Sequence, residues 1–288
     1  MKIGVVFPQT EIGADAGGVK EFAQSSESLG YSHLLAYDHV LGASTQNRPD
    51  FSGPYTSESM FHEIFVLFGY LAGITSRLEL VSGVVILPQR QTALVAKQAA
   101  EIDVLTGGQL RLGIGVGWNE VEFVGLNETF ADRGRRSEEQ IEVMRALWTD
   151  DVVNFSGVWH DIPEAGLNPL PVQRPIPVWI GGYVKKTMER IGRMGDGWFP
   201  GCPPGERLTN DLKIINDAAI AAGRDPSAIG MEGRIKLTDT TQSQWGPQVE
   251  AWREAGASHL SIVTMDGGLS PAGHIELLER FRSEVSLN

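Results

Sequence analysis

The residues best suited to chemistry are an acid and an imidazole at the end of one apolar run. In LLAYDHVLG (residues 34–42), three core-type residues lead through a tyrosine to Asp38 and His39. Histidine transfers protons near neutral pH, and a neighbouring carboxylate can tune or orient it. Adjacent residues of a strand point to opposite sides, so the two side chains need not touch. The pair suits acid–base chemistry, and a hydrogen-bonded loop histidine is the alternative.

Glycine-rich segments follow other apolar runs and offer space for a ligand. Gly181 and Gly182 precede a predicted helix, where backbone N–H groups attract a phosphate; a tight turn is the alternative, which spacing alone favours. Gly113, Gly115 and Gly117 do not complete a dinucleotide fingerprint, because a tryptophan takes the place of its last glycine. Such glycines either let a flat ligand lie close to the backbone or relieve crowding.

Other catalytic signatures are missing or weak. The sequence contains no H-E-x-x-H zinc motif, no G-x-S-x-G nucleophile elbow and no Walker A loop. Cys202, the single cysteine, has no histidine nearby in sequence, and a lone cysteine is more often a small packing residue than a nucleophile. The run DRGRRSEE (residues 132–139) is typical of a solvated helix start, with anion binding as the alternative. We expect no metal site.

Composition excludes several classes of protein. The 288 residues carry a formal net charge of −12, which argues against a nucleic-acid partner, because phosphate-backbone binding needs stripes of Lys and Arg. No apolar run reaches the roughly 18 residues of a membrane span, and the N-terminal run is too short for a signal peptide. A single cysteine permits no intramolecular disulfide, which fits a reducing compartment. We expect a cytoplasmic protein that binds a small molecule, without a membrane or nucleic-acid partner.

Short apolar runs alternate with helical patterns along the whole chain. Eight runs predict strands, at residues 3–7, 33–36, 78–87, 110–116, 178–180, 197–199, 229–237 and 259–263. Their continuous apolar character indicates burial on both faces, as in a parallel sheet. Eight strands separated by helices predict a single α/β domain over residues 1–288, a (β/α)8 TIM barrel. A doubly wound open sheet is the alternative.

Three connections bear on the position of a site. Ser59 is expected to cap a helix that runs to about residue 74. A hairpin around Ser156-Gly157 and a Pro-rich link predict an inserted segment around residues 150–176. The loops 42–57 and 150–175 are expected to shape a substrate pocket. Their aromatic residues favour an apolar or planar ligand, with simple packing as the alternative: Phe51, Tyr55, Phe155 and Trp159. A dimer surface is a further alternative for Phe155 and Trp159.

Several of these stretches together resemble the bacterial-luciferase-like monooxygenase superfamily, and most closely its actinobacterial branch of deazaflavin (coenzyme F-420)-dependent oxidoreductases. The matching runs are LAYDHV (35–40), LELVSGVVILPQRQTALVAKQAAEIDVLTGGQLRLGIGVGWNEVEFVGL (78–126), RGRRSEEQIEVMRALW (133–148), PVWIGG (177–182) and MGDGWFP (194–200). The likeness covers at least residues 1–200. The rest of the chain matches only in its rhythm of strands and helices.

The resemblance implies hydride transfer between the deazaflavin C5 and a small organic substrate, with the cofactor across the carboxyl-terminal mouth of the barrel. Asp38 would help to hold the cofactor, and His39 would be the catalytic proton donor or acceptor. A non-proline cis peptide, Gly83-Val84, would lie beneath the cofactor ring. The remaining contacts to the cofactor and its phosphate would come from Gly115, Gly117, Gly181, Gly182, Gly201 and Cys202.

The resemblance leaves the cofactor open. FMN has the same ring shape and ribityl phosphate, so the alternative is an FMN-dependent luciferase-like monooxygenase that uses reduced flavin and O2 and depends on a separate reductase. An alternative of another class is a cofactor-binding carrier or sensor without turnover. The family also implies a homodimer. Related sugar-phosphate dehydrogenases have a glutamate where this chain has Trp118, which argues against a sugar-phosphate substrate.

Overall fold

Strands and helices alternate along residues 1–286, the part of the chain that the computed structural model describes. The strands are β1 (Lys2–Val6), β2 (His33–Ala36), β3 (Glu79–Ser82), β4 (Val85–Ile86), β5 (Leu110–Gly115), β6 (Val153–Ser156), β7 (Asp161–Ala165), β8 (Val178–Gly181), β9 (Gly197–Phe199), β10 (Gly230–Lys236) and β11 (His259–Val263). The helices are α1 (Ala16–Ser28), α2 (Ile64–Ala72), α3 (Thr92–Thr106), α4 (Glu120–Gly125), α5 (Arg133–Thr149), α6 (Lys185–Met194), α7 (Glu206–Ala221), α8 (Gln242–Glu254) and α9 (Pro271–Glu284).

The central sheet is a closed parallel barrel. Its strand order is β3-β2-β1-β11-β10-β9-β8-β5-β4, and β3 also pairs with β5, which closes the circle. The short strand β4 continues β3 after an interruption, so the two occupy one of eight positions around the barrel. The predicted (β/α)8 TIM barrel is confirmed, and the open sheet is excluded.

Apolar side chains fill the space on both sides of the barrel wall. β2 and β5 are buried at every residue, as expected for parallel strands that have helices outside and packed side chains inside. A distinct apolar cluster fills the middle of the barrel. It consists of Val6, Leu35, Val81, Trp179, Phe199, Val263 and Met265.

The amino ends of the strands enclose a charged layer, which we call the basal network. Arg111 forms ion pairs with Glu79 and with the fully buried Glu232. Glu232 also contacts the His33 imidazole, whose Nε2 lies 3.2 Å from its carboxylate. The His33 and His259 rings lie 5.7 Å apart. Both histidines therefore lie at the end of the barrel that governs stability, as their positions at strand starts indicated.

The third barrel strand differs from its prediction. Residues 78–87 were expected to form one strand, but β3 ends at Ser82 and β4 begins only at Val85. The peptide bond between Gly83 and Val84 is cis, as the resemblance implied, and it interrupts the pairing. Residues 87–89 then form a 3-10 turn. The continuous apolar run at residues 78–87 therefore indicates that this segment is buried. It does not indicate one uninterrupted hydrogen-bonded strand.

The start of the second helix also differs from its prediction. The Glu63 side chain caps α2, and the Ser59 hydroxyl oxygen instead accepts from the Thr56 N–H within a turn. The side chain of Gln9 holds the preceding segment by accepting from the His62 N–H at 3.1 Å. The chain is thereby fixed outside the helical conformation until Glu63.

The predicted insertion is confirmed as an antiparallel hairpin of β6 and β7, followed by a link with cis peptides before Pro169 and Pro175. This segment lies between α5 and β8, outside the barrel wall. Among residues 1–286, no helix is long and apolar enough to cross a membrane.

Candidate active site

A cleft with two lobes opens at the carboxyl ends of the barrel strands. The glycine lobe, of about 590 Å³, lies over the ends of β5, β8 and β9. The histidine lobe, of about 520 Å³, lies against the segment that follows β2. The two lobes share the wall residues Gly83, Val84, Ile86, Trp118, Tyr183 and Arg234. They therefore form one continuous cleft at the end of the barrel where active sites lie.

The glycine lobe brings together residues that the sequence placed on four separate segments. Its lining includes Gly83, Val84, Gly115, Gly117, Gly181, Gly182 and Gly201. These residues come from the ends of the third, fourth, fifth and sixth barrel strands. Their proximity follows from closure of the barrel, and their contacts to a cofactor stay a prediction.

The packing explains why several of these positions are glycine. A Cβ atom on Gly115 would lie 2.6 Å from a methyl carbon of Val84, and one on Gly181 would lie 3.0 Å from the other. Gly182 has a φ of 147°, which favours glycine, and its Cβ would meet Thr187 at 2.7 Å. Relief of crowding and a tight turn therefore account for these glycines, and they allow Val84 to form the floor of the cleft.

Two arginines give the glycine lobe positive charge. Neither has a carboxylate within 4 Å in the described part of the chain. Arg133, from the run expected to be a solvated helix start, lies 3.6 Å from the centroid of the Phe130 ring and donates to two backbone carbonyls. Arg234 donates to the Tyr37 hydroxyl and the Pro200 carbonyl, each at 3.4 Å. Unpaired guanidinium groups in a cleft favour an anionic ligand.

His39 lies in the wall of the histidine lobe, enclosed by aromatic rings. The ring centroids of Tyr55, Phe61 and Trp118 lie 5.1, 4.9 and 5.7 Å from that of the imidazole. The Nδ1 atom of His39 lies 3.2 Å from a carboxylate oxygen of Glu122. Nε2 has no protein partner among residues 1–286. With 11% of its side chain exposed, His39 can present this one nitrogen to a ligand.

Glu122, on α4, is a site residue that the sequence did not reveal. Its carboxylate accepts from the N–H groups of Val40 and Leu41 at 2.6 and 3.1 Å as well as contacting His39. Burial alone would raise its pKa, but these hydrogen bonds together lower it below its ordinary value. The available signal was an acid flanked by apolar residues in a short helix just after a glycine-rich strand end.

Asp38 bonds to partners different from those of its neighbour His39. Its buried carboxylate accepts from the Ile86 N–H at 3.2 Å and from Arg90 at 2.8 Å. Burial raises the pKa of the Asp38 carboxyl, and the Arg90 guanidinium opposes that shift. Asp38 borders the histidine lobe, so a contact to the cofactor stays a prediction. Its bonds here tie the end of β2 to β4 and the turn that follows it.

Among the described residues, Cys202 is not part of the lining of the glycine lobe or of the histidine lobe. Its half-buried side chain packs against the main hydrophobic core, and burial raises the pKa of its thiol. The structure therefore favours the packing interpretation of this residue. The described chain also contains no group of three or more His, Cys, Asp or Glu side chains placed to hold a metal ion.

The two loops expected to shape the pocket differ in their roles. Residues 52–55 line the histidine lobe, and Gly53 packs against the ring of Trp118. In the insertion, Trp159 donates to Asp132 instead, and Phe155 packs against the main core. Neither of these two aromatics lines either lobe of the cleft. Of the interpretations left open for Phe155 and Trp159, the structure therefore favours packing over a place in the pocket.

A parallel barrel with a histidine and two arginines without carboxylate partners at its carboxyl-terminal mouth is typical of a barrel enzyme with a small-molecule site. The family model for luciferase-like monooxygenases matches residues 1–267. The chain belongs to the luciferase-like monooxygenase family.

The proteins to which this chain is similar differ in their named cofactors. An uncharacterised protein of Mycobacterium tuberculosis is 37% identical over 209 residues, which cover 70% of this chain and 71% of that protein. An FMNH2-dependent dimethylsulfone monooxygenase of Pseudomonas putida is 28% identical over 88% of this chain and 68% of that enzyme. The solved structure of an F420-dependent secondary alcohol dehydrogenase with an F420–acetone adduct has a TM-score of 0.76 at 18% identity, covering 97% and 98% of the two chains. That structural likeness shows the shared fold.

Proposed function

We propose that this chain is a deazaflavin (coenzyme F-420)-dependent oxidoreductase that transfers a hydride between the deazaflavin C5 and a small organic substrate. The observation that carries the proposal is His39 in the wall of the cleft, with its Nδ1 atom at Glu122 and its Nε2 atom without a partner among residues 1–286. Hydride transfer to or from an oxygen-bearing carbon needs a proton donor or acceptor beside that oxygen. We propose His39 for this role, because it lines the histidine lobe and its Nδ1 atom is already engaged by Glu122.

The glycine lobe fits a planar, anionic cofactor. Val84 forms an apolar floor, and Arg133 and Arg234 supply positive charge that no carboxylate of the described chain neutralises. The start of α6 borders the lobe through Gly182 and Thr187, where backbone N–H groups suit a phosphate. We propose that these groups, with the predicted contacts of Gly115, Gly117, Gly181 and Gly201, hold the cofactor.

The bound deazaflavin would supply a two-electron hydride donor or acceptor. The chain itself orients the substrate and excludes water. The rings of Tyr55, Phe61 and Trp118 surround His39 and make its environment apolar. In substrate oxidation, Nε2 takes the hydroxyl proton; in reduction, it returns a proton to the carbonyl oxygen.

The second candidate function is an FMN-dependent monooxygenase with a partner reductase. The 28% identity to a sulfone monooxygenase over 88% of this chain favours it. The arginines and the glycine lobe suit FMN as well, because both cofactors carry the same phosphate and a similar ring. The homodimer and the cytoplasmic location implied at the outset stay predictions under either function.

Separate titrations with coenzyme F-420 and with FMN, followed by ligand fluorescence, test the proposal. We expect saturable F-420 binding at least about tenfold tighter than FMN binding, a difference of about 1.4 kcal/mol. Reduced F-420 should then be oxidised by a carbonyl substrate from a screen, in the absence of O2. Tighter FMN binding, with turnover that requires reduced flavin and O2, would establish the monooxygenase instead.

A further inference from the structure

The carboxylate behind His39 accepts two backbone hydrogen bonds and also contacts the imidazole ring. One oxygen of Glu122 accepts from the N–H groups of Val40 and Leu41, and the other lies 3.2 Å from Nδ1 of His39. Only 1% of the Glu122 side chain is exposed. The two backbone bonds fix the carboxylate against the segment that carries His39, so the imidazole and its partner form one rigid unit.

The charge state of Glu122 determines which way the third hydrogen bond runs. Burial disfavours the ionised form, but the bonds from His39, Val40 and Leu41 outweigh it and lower the pKa of the carboxyl. Glu122 is therefore ionised at neutral pH, and an ionised carboxylate can only accept. Nδ1 of His39 must then be the donor. In a neutral imidazole this leaves the lone pair on Nε2.

We propose that Glu122 is a positioning residue that holds His39 in its Nδ1-protonated tautomer, so that Nε2 is the proton acceptor for substrate. The inference rests on the proposed function for the identity of the reaction, but the tautomer itself is a property of the free protein. A purely structural Glu122 would hold Val40 and Leu41 without any effect on the chemistry at Nε2.

The variant Glu122→Gln separates these two roles. Its amide oxygen can still accept from the Val40 and Leu41 N–H groups, which leaves the NH2 group facing Nδ1 of His39. Nδ1 must then accept, and the proton moves to Nε2. We expect this single change to reverse the tautomer while the segment after β2 stays in place.

Long-range 1H–15N correlation spectra of protein labelled with 15N in its histidine rings would read the tautomer directly. Recorded at about pH 8.5, where an ordinary histidine is neutral, the spectra should show His39 protonated at Nδ1 in the wild type and at Nε2 in Glu122→Gln. Loss of one signal set in His39→Gln assigns the ring. An Nε2-protonated ring in the wild type would overturn the proposal even if the variant fails to fold.

The insertion provides a matched control. Glu139 contacts Nδ1 of His160 at 2.8 Å and accepts from the N–H groups of Val158, Trp159 and His160, but Nε2 of His160 lies 2.6 Å from the Thr92 hydroxyl oxygen and so, unlike Nε2 of His39, has a protein partner. Neither Glu139 nor His160 lines the glycine or histidine lobe. We therefore expect Glu139→Gln to change the spectrum of His160 and to leave turnover unchanged.

Kinetics would complete the test once the substrate is known. We expect Glu122→Gln to lower kcat by about 10²-fold, with little change in KM, in cofactor affinity or in the melting temperature. A reversed tautomer with unchanged kcat would show that Glu122 has no role in the reaction. Failure of F-420 to bind would remove the proposed function but leave the tautomer assignment standing.

Discussion

At the scale of single residues, the two ring nitrogens of His39 have different surroundings. Glu122 engages Nδ1, whereas Nε2 has no partner among residues 1–286, and three aromatic rings surround the imidazole. Such a division suits general acid–base catalysis, because one nitrogen fixes the ring and the other exchanges the proton. It does not suit a histidine that only packs, since a packing residue has no need of a free nitrogen in a cleft.

Replacing the imidazole should therefore affect turnover more than binding. We expect His39→Gln to lower kcat by about 10²- to 10⁴-fold, with cofactor affinity close to that of the wild type. Steady-state kinetics and cofactor titration of the same preparation would measure both. His160→Gln, which removes the corresponding imidazole of the insertion, is the control. Full turnover with weakened cofactor binding would make His39 a binding residue instead.

The sequence indicated the segment that carries His39 but not the acid whose carboxylate contacts its imidazole. Asp38 lies next to His39 in the chain, yet its carboxylate turns to Arg90 and the N–H of Ile86. The acid that reaches the imidazole is Glu122, 83 residues further along. Closure of the barrel brings α4 against the segment after β2, and no local pattern in either segment encodes that contact.

At the scale of elements, the interrupted third barrel strand sets the floor of the cleft. Where β3 gives way to β4, the Val84 side chain packs against Gly115 and Gly181, at the ends of the paired strands β5 and β8. The sequence predicted one strand there because its apolar residues are continuous, and apolarity cannot distinguish a paired strand from a buried bulge. The family resemblance did predict the cis peptide, since a motif carries backbone information that periodicity lacks.

The fit between Val84 and β5 can be tested by adding one carbon atom. In Gly115→Ala the new Cβ would lie 2.6 Å from a Val84 methyl carbon, so Val84 must move toward the cleft. We expect the free energy of unfolding to fall by about 1–3 kcal/mol, as in other overpacked cores. Cofactor affinity should fall as well. Urea unfolding and cofactor titration would measure the two effects.

A second substitution tests whether the contact between residues 115 and 84 causes the loss of stability. In the double variant Gly115→Ala/Val84→Ala the conflict is removed, so its loss of stability should be smaller than the sum of the two single losses. A coupling of at least about 0.5 kcal/mol is expected for residues in direct contact. Strictly additive losses would mean that Gly115 is required for another reason.

At the scale of the whole molecule, the barrel interior is built in three levels. The basal network lies at the amino ends of the strands, the apolar cluster around Trp179 fills the middle, and the cleft opens above it. The guanidinium of Arg111 joins the lower two levels, because it lies 4.3 Å from the Trp179 ring centroid. The floor of the active site thus rests on a buried charged layer whose protonation states bear on stability.

Two groups of the basal network favour folding only while they stay unprotonated. Burial, with the nearby charge of Arg111, lowers the pKa of His259 from 6.5 to about 3. Burial of Glu232 is outweighed by Arg111 and His33, which lower its pKa far below 4.5. In both cases the unfolded chain takes up a proton at a higher pH than the folded chain. Acid therefore destabilises the fold, first through His259 below about pH 6.5 and then through Glu232 below about pH 4.5.

This order predicts how stability depends on pH. Between pH 6.5 and 4.5, His259 binds a proton in the unfolded chain but not in the folded chain. The free energy of unfolding should therefore fall by up to about 1.4 kcal/mol for each pH unit of acidification. Urea unfolding at several pH values would measure the slope. His259→Gln should reduce it within this window without abolishing it, because burial also lowers the pKa of His274. The slope should stay smaller in the variant down to about pH 3, where the folded protein also protonates His259, and below pH 4.5 both proteins should lose further stability through Glu232. Equal slopes above pH 4.5 in both proteins would show that His259 does not govern the acid response.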